Sequence, residues 1–159
     1  MKTQLFSLVI AGLATATVMA PAAQAETFAT DYNYVGLGVG VGDIGDSDVG
    51  LAVTSKFTVV EHVSVRPGII TDLDFSDGET AFLLPVTYDF NAITPDGKLL
   101  PYAGAGVAVT VGDDTDVAGL LTAGVDYRVA ENITLNGAVN WAINDDSSVN
   151  GVVGVGYTF

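Results

Sequence analysis

The final segment of the chain alternates between apolar side chains and small or polar ones. Residues 148–159 read SVNGVVGVGYTF, with an apolar residue at every odd position from Val153 to Phe159. A period of two is typical of a β-strand whose two faces meet different surroundings. Such a strand needs a partner at each edge, because an unpaired edge is untenable in lipid, and the first strand is the best candidate. The pattern therefore predicts a closed barrel.

The same alternation recurs along the rest of the chain. The predicted strands cover residues 31–41, 49–59, 63–71, 80–90, 99–111, 117–128, 132–143 and 148–159. Pro67 is expected to break the pairing of the third strand locally or to mark a bulge. The segment from Pro95 to Gly97 has the composition of a turn. An even number of strands joined by hairpins predicts an all-β fold, an eight-stranded antiparallel up-and-down transmembrane β-barrel.

The N-terminal segment has the layout of a cleaved secretory signal. Lys2 supplies a positive charge, residues 5–20 are an apolar run, and residues 23–25 read AQA. We expect residues 1–25 to be a signal peptide and residues 26–159 to form the barrel domain. Cleavage leaves 4 basic residues, since Lys2 is one of 5, against 19 acidic ones, a net charge of −15. So acidic a chain repels nucleic acid, which excludes nucleic-acid binding.

Acidic residues fall in alternate connections. Those after the first, third, fifth and seventh strands hold 12 of the 19 acids. They are Asp43, Asp46, Asp48, Asp72, Asp74, Asp77, Glu79, Asp113, Asp114, Asp116, Asp145 and Asp146. Consecutive hairpins of an up-and-down barrel lie at opposite rims, so these acids share one rim, which faces outward if the N-terminus is periplasmic.

One acidic loop, residues 72–79, superficially resembles a calcium loop. An EF-hand needs Gly at its sixth position and Glu at its twelfth, where this chain has Asp77 and Leu83. A solvated rim is the favoured interpretation. Loose calcium or magnesium binding is the alternative, with the following candidate ligands: Asp72, Asp74, Asp77 and Glu79.

Two further patterns lie at the opposite rim. Aromatic residues on the apolar face of the even-numbered strands predict an interfacial girdle: Phe57, Tyr88, Phe90, Tyr127, Tyr157 and Phe159. Charged residues on the opposite, inward face predict a lumen cluster: Lys56, Arg66, Asp89, Asp126 and Arg128. An eight-stranded lumen is narrow, so these charges should pair and plug it. The alternative is that some of them reach water past the rim.

With its terminal GVGYTF and the PYAGAGV segment of residues 101–107, the chain resembles the small eight-stranded outer-membrane barrels, the OmpA transmembrane-domain and OmpX type. The resemblance implies residence in the outer membrane of a double-membrane bacterial envelope after Sec-type export, with outer-membrane lipid around the barrel. It also implies the barrel-insertion machinery and periplasmic chaperones as partners during biogenesis. Tyr157 and Phe159 stand where that family carries its insertion signal.

The sequence indicates no enzyme and no cofactor. His62 is the only histidine, and no Ser, His and acid constellation occurs at the outward rim. The leading hypothesis is a non-enzymatic integral barrel with a structural role in the envelope, and a monomer, because a closed barrel has no edge that requires a partner. One alternative is a narrow, cation-favouring, porin-like channel. The other is a soluble lipocalin-like carrier, against which an inward face of Gly, Thr, Asn and charge argues.

Overall fold

The computed structural model describes residues 30–44, 47–73 and 78–159, so the predicted signal peptide lies outside the described residues. Nine strand segments make up the fold. They are β1 (Tyr34–Ile44), β2 (Ser47–Val60), β3 (Val63–Val65), β4 (Gly68–Asp72), β5 (Thr80–Asp89), β6 (Leu99–Val111), β7 (Thr115–Ala130), β8 (Ile133–Ile143) and β9 (Ser148–Thr158). Within the described ranges no helix has the length and apolar character needed to cross a membrane.

The strands close into a ring. Each position in the ring pairs antiparallel with its neighbours in sequence, and β1 pairs with both β2 and β9, so that Tyr34 lies opposite Lys56 on one side and Thr158 on the other. Segments β3 and β4 together fill one position, between β2 and β5. The predicted eight-stranded antiparallel up-and-down barrel is therefore confirmed.

Pro67 interrupts the third barrel strand without shifting its register. The partners on either side of the gap are Phe57↔Val65 and Val53↔Ile69. These pairs are separated by the same number of residues on both strands, so there is no bulge. Proline has no N–H to donate to the ladder. Its own carbonyl accepts a hydrogen bond from the buried Ser55 hydroxyl at 2.5 Å, which satisfies this backbone group.

The outer surface of the barrel is apolar, as the alternation predicts. Leu37 is 70% exposed and Val153 is 69% exposed, whereas the residues between outward-facing positions point into the lumen. All six predicted girdle residues face outward at the end of the barrel where β2, β5, β7 and β9 finish. We call this end the aromatic rim and the opposite end, where the acidic hairpins lie, the acidic rim.

The predicted turn at residues 95–97 forms a compact hairpin connection at the aromatic rim. Gly97 has a φ of 68°, a left-handed conformation that favours glycine, and its N–H donates to the Thr94 carbonyl at 3.0 Å. Asp96 accepts hydrogen bonds from the Thr94 hydroxyl and from the backbone N–H of Lys98. These bonds, the Thr94 one foremost, lower the pKa of Asp96 because they stabilise its carboxylate form.

Candidate functional site

The chemistry of the described barrel is concentrated in its lumen. Four of the five inward charges predicted from the sequence meet there. The Arg66 Nη2 atom lies 3.0 Å from Asp89 Oδ1 and 2.9 Å from Asp126 Oδ2, and the Lys56 Nζ atom lies 3.3 Å from Asp89 Oδ2. None of these four side chains is more than 6% exposed. We call Lys56, Arg66, Asp89 and Asp126 the charged cluster.

Aromatic and amide side chains surround the Asp126 carboxylate. It accepts hydrogen bonds from the Tyr32 hydroxyl at 2.5 Å, the Tyr34 hydroxyl at 3.3 Å and the Asn136 amide at 2.8 Å. The Arg66 guanidinium lies over the Tyr102 ring, 3.5 Å from its centroid, a cation–π contact. The carboxylate thus has several donors besides Arg66, which is what a buried anion requires.

The charged cluster balances two cations against two anions. Burying four charges is expensive, and their mutual attraction offsets that cost only when the geometry is good and the remaining polar atoms are bonded. Both conditions are met: the Asp89 carboxylate also accepts a hydrogen bond from the Ser64 hydroxyl, and Arg66 Nε donates to the Thr87 hydroxyl at 3.1 Å. The cluster closes the lumen with a neutral, hydrogen-bonded layer.

Arg128, the fifth predicted charge, occupies a different place. Its Nη2 atom donates to the Glu131 carbonyl at 2.8 Å, and its guanidinium lies 4.5 Å from the centroid of the Tyr32 ring. Strand alternation could indicate that Arg128 faces inward. It could not show that the side chain reaches the carbonyl of Glu131 in the hairpin at residues 130–132.

A segment that precedes β1 also closes the aromatic rim. The Tyr32 side chain is buried, and the centroid of its ring lies 3.4 Å from Lys56 Nζ. Lys56 donates to the Thr30 carbonyl, Thr58 N donates to Asn33 Oδ1 at 2.8 Å, and Phe159 N donates to Asn33 O at 3.0 Å. Residues 31–33 were predicted to begin the first strand, and their role in closing this rim was not predicted. The sequence does indicate that Tyr32 faces the lumen, because it lies two residues before Tyr34 and therefore on the same face of an extended segment.

A second closure, formed by aliphatic side chains, was not predicted. It consists of Ile44, Ile70, Leu83, Leu120 and Val152, each at most 9% exposed, and we call it the apolar layer. Four of these residues belong to apolar doublets, at 69–70, 83–84, 120–121 and 152–153. A doublet breaks the alternation, because one member faces outward and the other must face inward. These doublets are the signal that could have revealed the layer.

One cavity lies on each side of the apolar layer. The first, of about 40 Å³, lies between that layer and the charged cluster and is lined by Arg66, Tyr102 and Asn136, among others. It has room for about three water molecules, since each needs about 10–15 Å³ of such space. The second, of about 290 Å³, lies between the apolar layer and the acidic rim. Along the described chain, the lumen is therefore closed at two levels.

Two of the four candidate metal ligands, Asp72 and Glu79, lie within the described residues. Asp72 is buried, and its carboxylate accepts a hydrogen bond from Glu79 N at 3.0 Å, so it holds together the two ends of its loop. Asp74 and Asp77 lie outside the described residues. The described part of the chain contains no group of three or more His, Cys, Asp or Glu side chains that could hold a metal ion.

The other two candidate residues, Tyr157 and Phe159, face outward at the aromatic rim and are 63% and 65% exposed. They lie on β9 and immediately after it, beside the first strand of the ring. His62 is in the turn between β2 and β3, where its Nδ1 atom lies 2.7 Å from the Asp89 carbonyl and its ring stacks on Tyr88.

Comparison with known proteins identifies the fold. No protein-family model matches the chain, and no curated protein matches it by sequence. Among solved structures, the N-terminal β-barrel domain of OprF from Pseudomonas aeruginosa matches with a TM-score of 0.63 and 14% identity, over 83% of this chain and 100% of that one. Ail, the attachment invasion locus protein of Yersinia pestis, matches with a TM-score of 0.56 and 11% identity, over 81% and 99%.

A de novo designed transmembrane β-barrel also matches, with a TM-score of 0.58 and 17% identity, over 81% of this chain and 96% of that one. The fold is thus that of the small eight-stranded outer-membrane barrels. At such identities the likeness is one of architecture, and a designed barrel among the matches shows that the architecture can exist apart from any one biological role.

Proposed function

We propose that this chain is a non-enzymatic integral barrel of the outer membrane with a structural role in the envelope. The observation that carries the proposal is a closed ring with an apolar outer surface and a lumen closed at two levels. A closed ring leaves no strand edge without a backbone partner, which a span through lipid requires. Outer-membrane lipid would contact the exposed aliphatic side chains, and the aromatic rim would lie at headgroup depth.

The same proposal includes the route to the membrane. Sec-type export would follow from the signal peptide expected at residues 1–25, and the barrel-insertion machinery and periplasmic chaperones would act before and during insertion. A monomer is the proposed state, since every position of the ring is paired within the chain.

A cation-favouring channel is the alternative, and the acidic rim is the observation that favours it. The charged cluster and the apolar layer argue against a channel, because each would have to open before an ion could pass through the lumen. A soluble carrier is not favoured, because the structural matches are membrane barrels and because the apolar side chains lie mainly on the outer surface.

Ion conductance tests the structural proposal against the channel. We expect the refolded barrel to show no steady conductance in a planar bilayer. We expect Arg66→Ala to be silent as well, because it opens the charged cluster while the apolar layer, with Ile70 and Leu120 each 2% exposed, still excludes water. Steady cation-selective steps from the parent protein would refute the structural proposal. Steps from Arg66→Ala alone would show that the charged cluster is the only barrier.

Replacement of the final residue tests the proposed insertion signal. We expect Phe159→Ser to lower strongly the amount of assembled barrel in the outer membrane of cells, whereas Phe159→Tyr keeps the aromatic ring and assembles like the parent. Because the Phe159 side chain is 65% exposed, both variants should refold alike in detergent. Equal assembly of the two variants in cells would contradict the role of this residue as a signal.

A further inference from the structure

The cavity at the acidic rim, of about 290 Å³, combines two kinds of lining that a single ligand could match. Its floor is made of the aliphatic side chains of Ile44, Ile70, Leu83 and Leu120. Its mouth carries exposed carboxylates, so the cavity reaches the surface: Asp114, Asp116 and Asp146. We call it the rim cavity. Its volume is close to the lower end of the range for small-molecule pockets, about 300 Å³.

The charge of the rim cavity is of one sign. Asp43 and Glu79 also line it, and no Lys or Arg does. The basic residues of the described chain lie elsewhere: Lys56, Arg66 and Arg128 in the lumen near the aromatic rim, and Lys98 in the hairpin at that rim. A cleft lined by one sign of charge raises the local concentration of small ions of the opposite sign. The rim cavity therefore favours a cation.

The floor of the cavity restricts which cation fits. Ile70 and Leu120 offer no hydrogen bond to a water molecule or to a hydrated metal ion, and burying apolar ligand surface against them is favourable. The described side chains also provide no group of three metal ligands. A purely apolar molecule, in turn, would gain nothing from the carboxylates. Only a molecule that is cationic at one end and apolar at the other would interact favourably with both the carboxylates and the aliphatic floor.

We propose that the rim cavity binds a small organic cation that carries an alkyl or aryl group. The positively charged nitrogen lies among Asp114, Asp116 and Asp146, and the apolar group rests on the aliphatic floor. The walls between them supply hydroxyl and amide groups, from Thr110, Ser148 and Asn150, that suit a polar substituent. This binding does not depend on the proposed envelope role, since an inert structural barrel would serve the envelope with the cavity empty.

A matched pair of double variants tests the position of the charge. Asp114→Asn/Asp146→Asn neutralises two carboxylates that line the rim cavity, whereas Asp113→Asn/Asp145→Asn neutralises their exposed chain neighbours, which do not. Both change the net charge equally. Benzyltrimethylammonium is titrated into the refolded full barrel in non-ionic micelles, and methyl NMR shifts of Leu83, Ala118 and Leu120 report binding. Leu37, on the outer surface, controls for partition into the micelle.

We expect saturable shifts confined to the floor methyl groups. Affinity should fall about tenfold for the lining pair and less than about twofold for the neighbouring pair, because Coulomb attraction weakens with distance and solvent screening. Tetramethylammonium, which lacks the apolar group, and benzyl alcohol, which lacks the charge, should each bind at least about tenfold more weakly. Ala142→Leu, which fills part of the cavity, should also weaken binding.

The proposal is overturned if the floor shifts do not saturate, if both double variants weaken binding equally, or if tetramethylammonium binds as tightly as the benzyl compound. Correct folding of each variant is checked first, from the dispersion of its NMR spectrum and its migration without heating. A barrel that folds normally but does not bind would therefore refute the rim-cavity proposal and leave the proposed envelope role intact.

Discussion

Replacing Arg66 with methionine is expected to lower the free energy of unfolding by about 3–5 kcal/mol, the usual cost of removing one partner from a buried ion pair. The guanidinium lies between two carboxylates, at 3.0 Å from Asp89 and 2.9 Å from Asp126, and is 6% exposed. Methionine fills much of the same space, so the main loss is electrostatic. Asp89 keeps its Lys56 partner at 3.3 Å, whereas the remaining hydrogen bonds to Asp126 from the described residues come from hydroxyl and amide groups.

Reversible urea unfolding of the barrel in phospholipid vesicles would measure this loss. The fluorescence of Trp141, the only tryptophan of the chain, which is 46% exposed on the outer surface, would follow the transition. Lys98→Met is the control, since it removes a cation from a hairpin outside the charged cluster and should cost less than about 0.5 kcal/mol.

A double-mutant cycle separates the ion pair from loss of packing. Arg66→Met/Asp126→Asn removes both the cation and the charge left behind, so we expect the double variant to be more stable than the sum of the single changes implies, by at least about 1 kcal/mol. If the two effects simply add, or if Arg66→Met costs as little as Lys98→Met, Arg66 and Asp126 do not stabilise the barrel as a pair.

Much of the barrel could be predicted because alternation and hairpin lengths are local properties of the sequence. The ends of strands were predicted less accurately, at both rims: the first strand begins at Tyr34, three residues later than predicted, and other strands extend further at the acidic rim. Residues 47–48 and 115–116 were assigned to loops, yet they belong to β2 and β7. Exposed acidic side chains in these segments do not alternate with apolar ones, so the sequence pattern does not predict a strand there. The backbone pairing nevertheless continues, for example between Val111 and Thr115. Backbone hydrogen bonds extended the hairpins beyond the point where side-chain pattern could indicate them.

The lumen could be predicted only in part, for a different physical reason. Parity along a strand indicates that Lys56 and Arg66 face inward, but which charges meet depends on the register between strands and on side-chain bending. Arg128 therefore lay outside the charged cluster although its parity was right. The apolar layer was not predicted because Leu83 and Leu120 lie on different strands, and alternation within one strand does not show which inward residues meet. Their side chains meet in the lumen only when the strands close into a ring.

An arginine in place of Val153 is expected to destabilise the barrel by about 2–4 kcal/mol, the cost of placing that side chain at the middle of a bilayer on the outer face of a barrel. Val153 is the sixth of the 11 residues of β9 and is 69% exposed. Its neighbours on the adjacent strands are Val39 and Gly137, so it has no carboxylate partner directly across on either side. The charge would lie in hydrocarbon unless the bilayer deforms around it.

Val149 provides the matched control for this change. It is the same residue type on the same face of the same strand, but it is the second residue of β9, next to the acidic rim. There the interface lies within reach of an arginine side chain, and we expect Val149→Arg to cost about 0–1 kcal/mol. Urea unfolding in vesicles measures both. A soluble barrel would tolerate the two substitutions alike, since surface changes usually alter stability by less than about 0.5 kcal/mol. A clear difference between the stability losses of the two variants would therefore show that the outer surface contacts hydrocarbon at its middle and water at its rim.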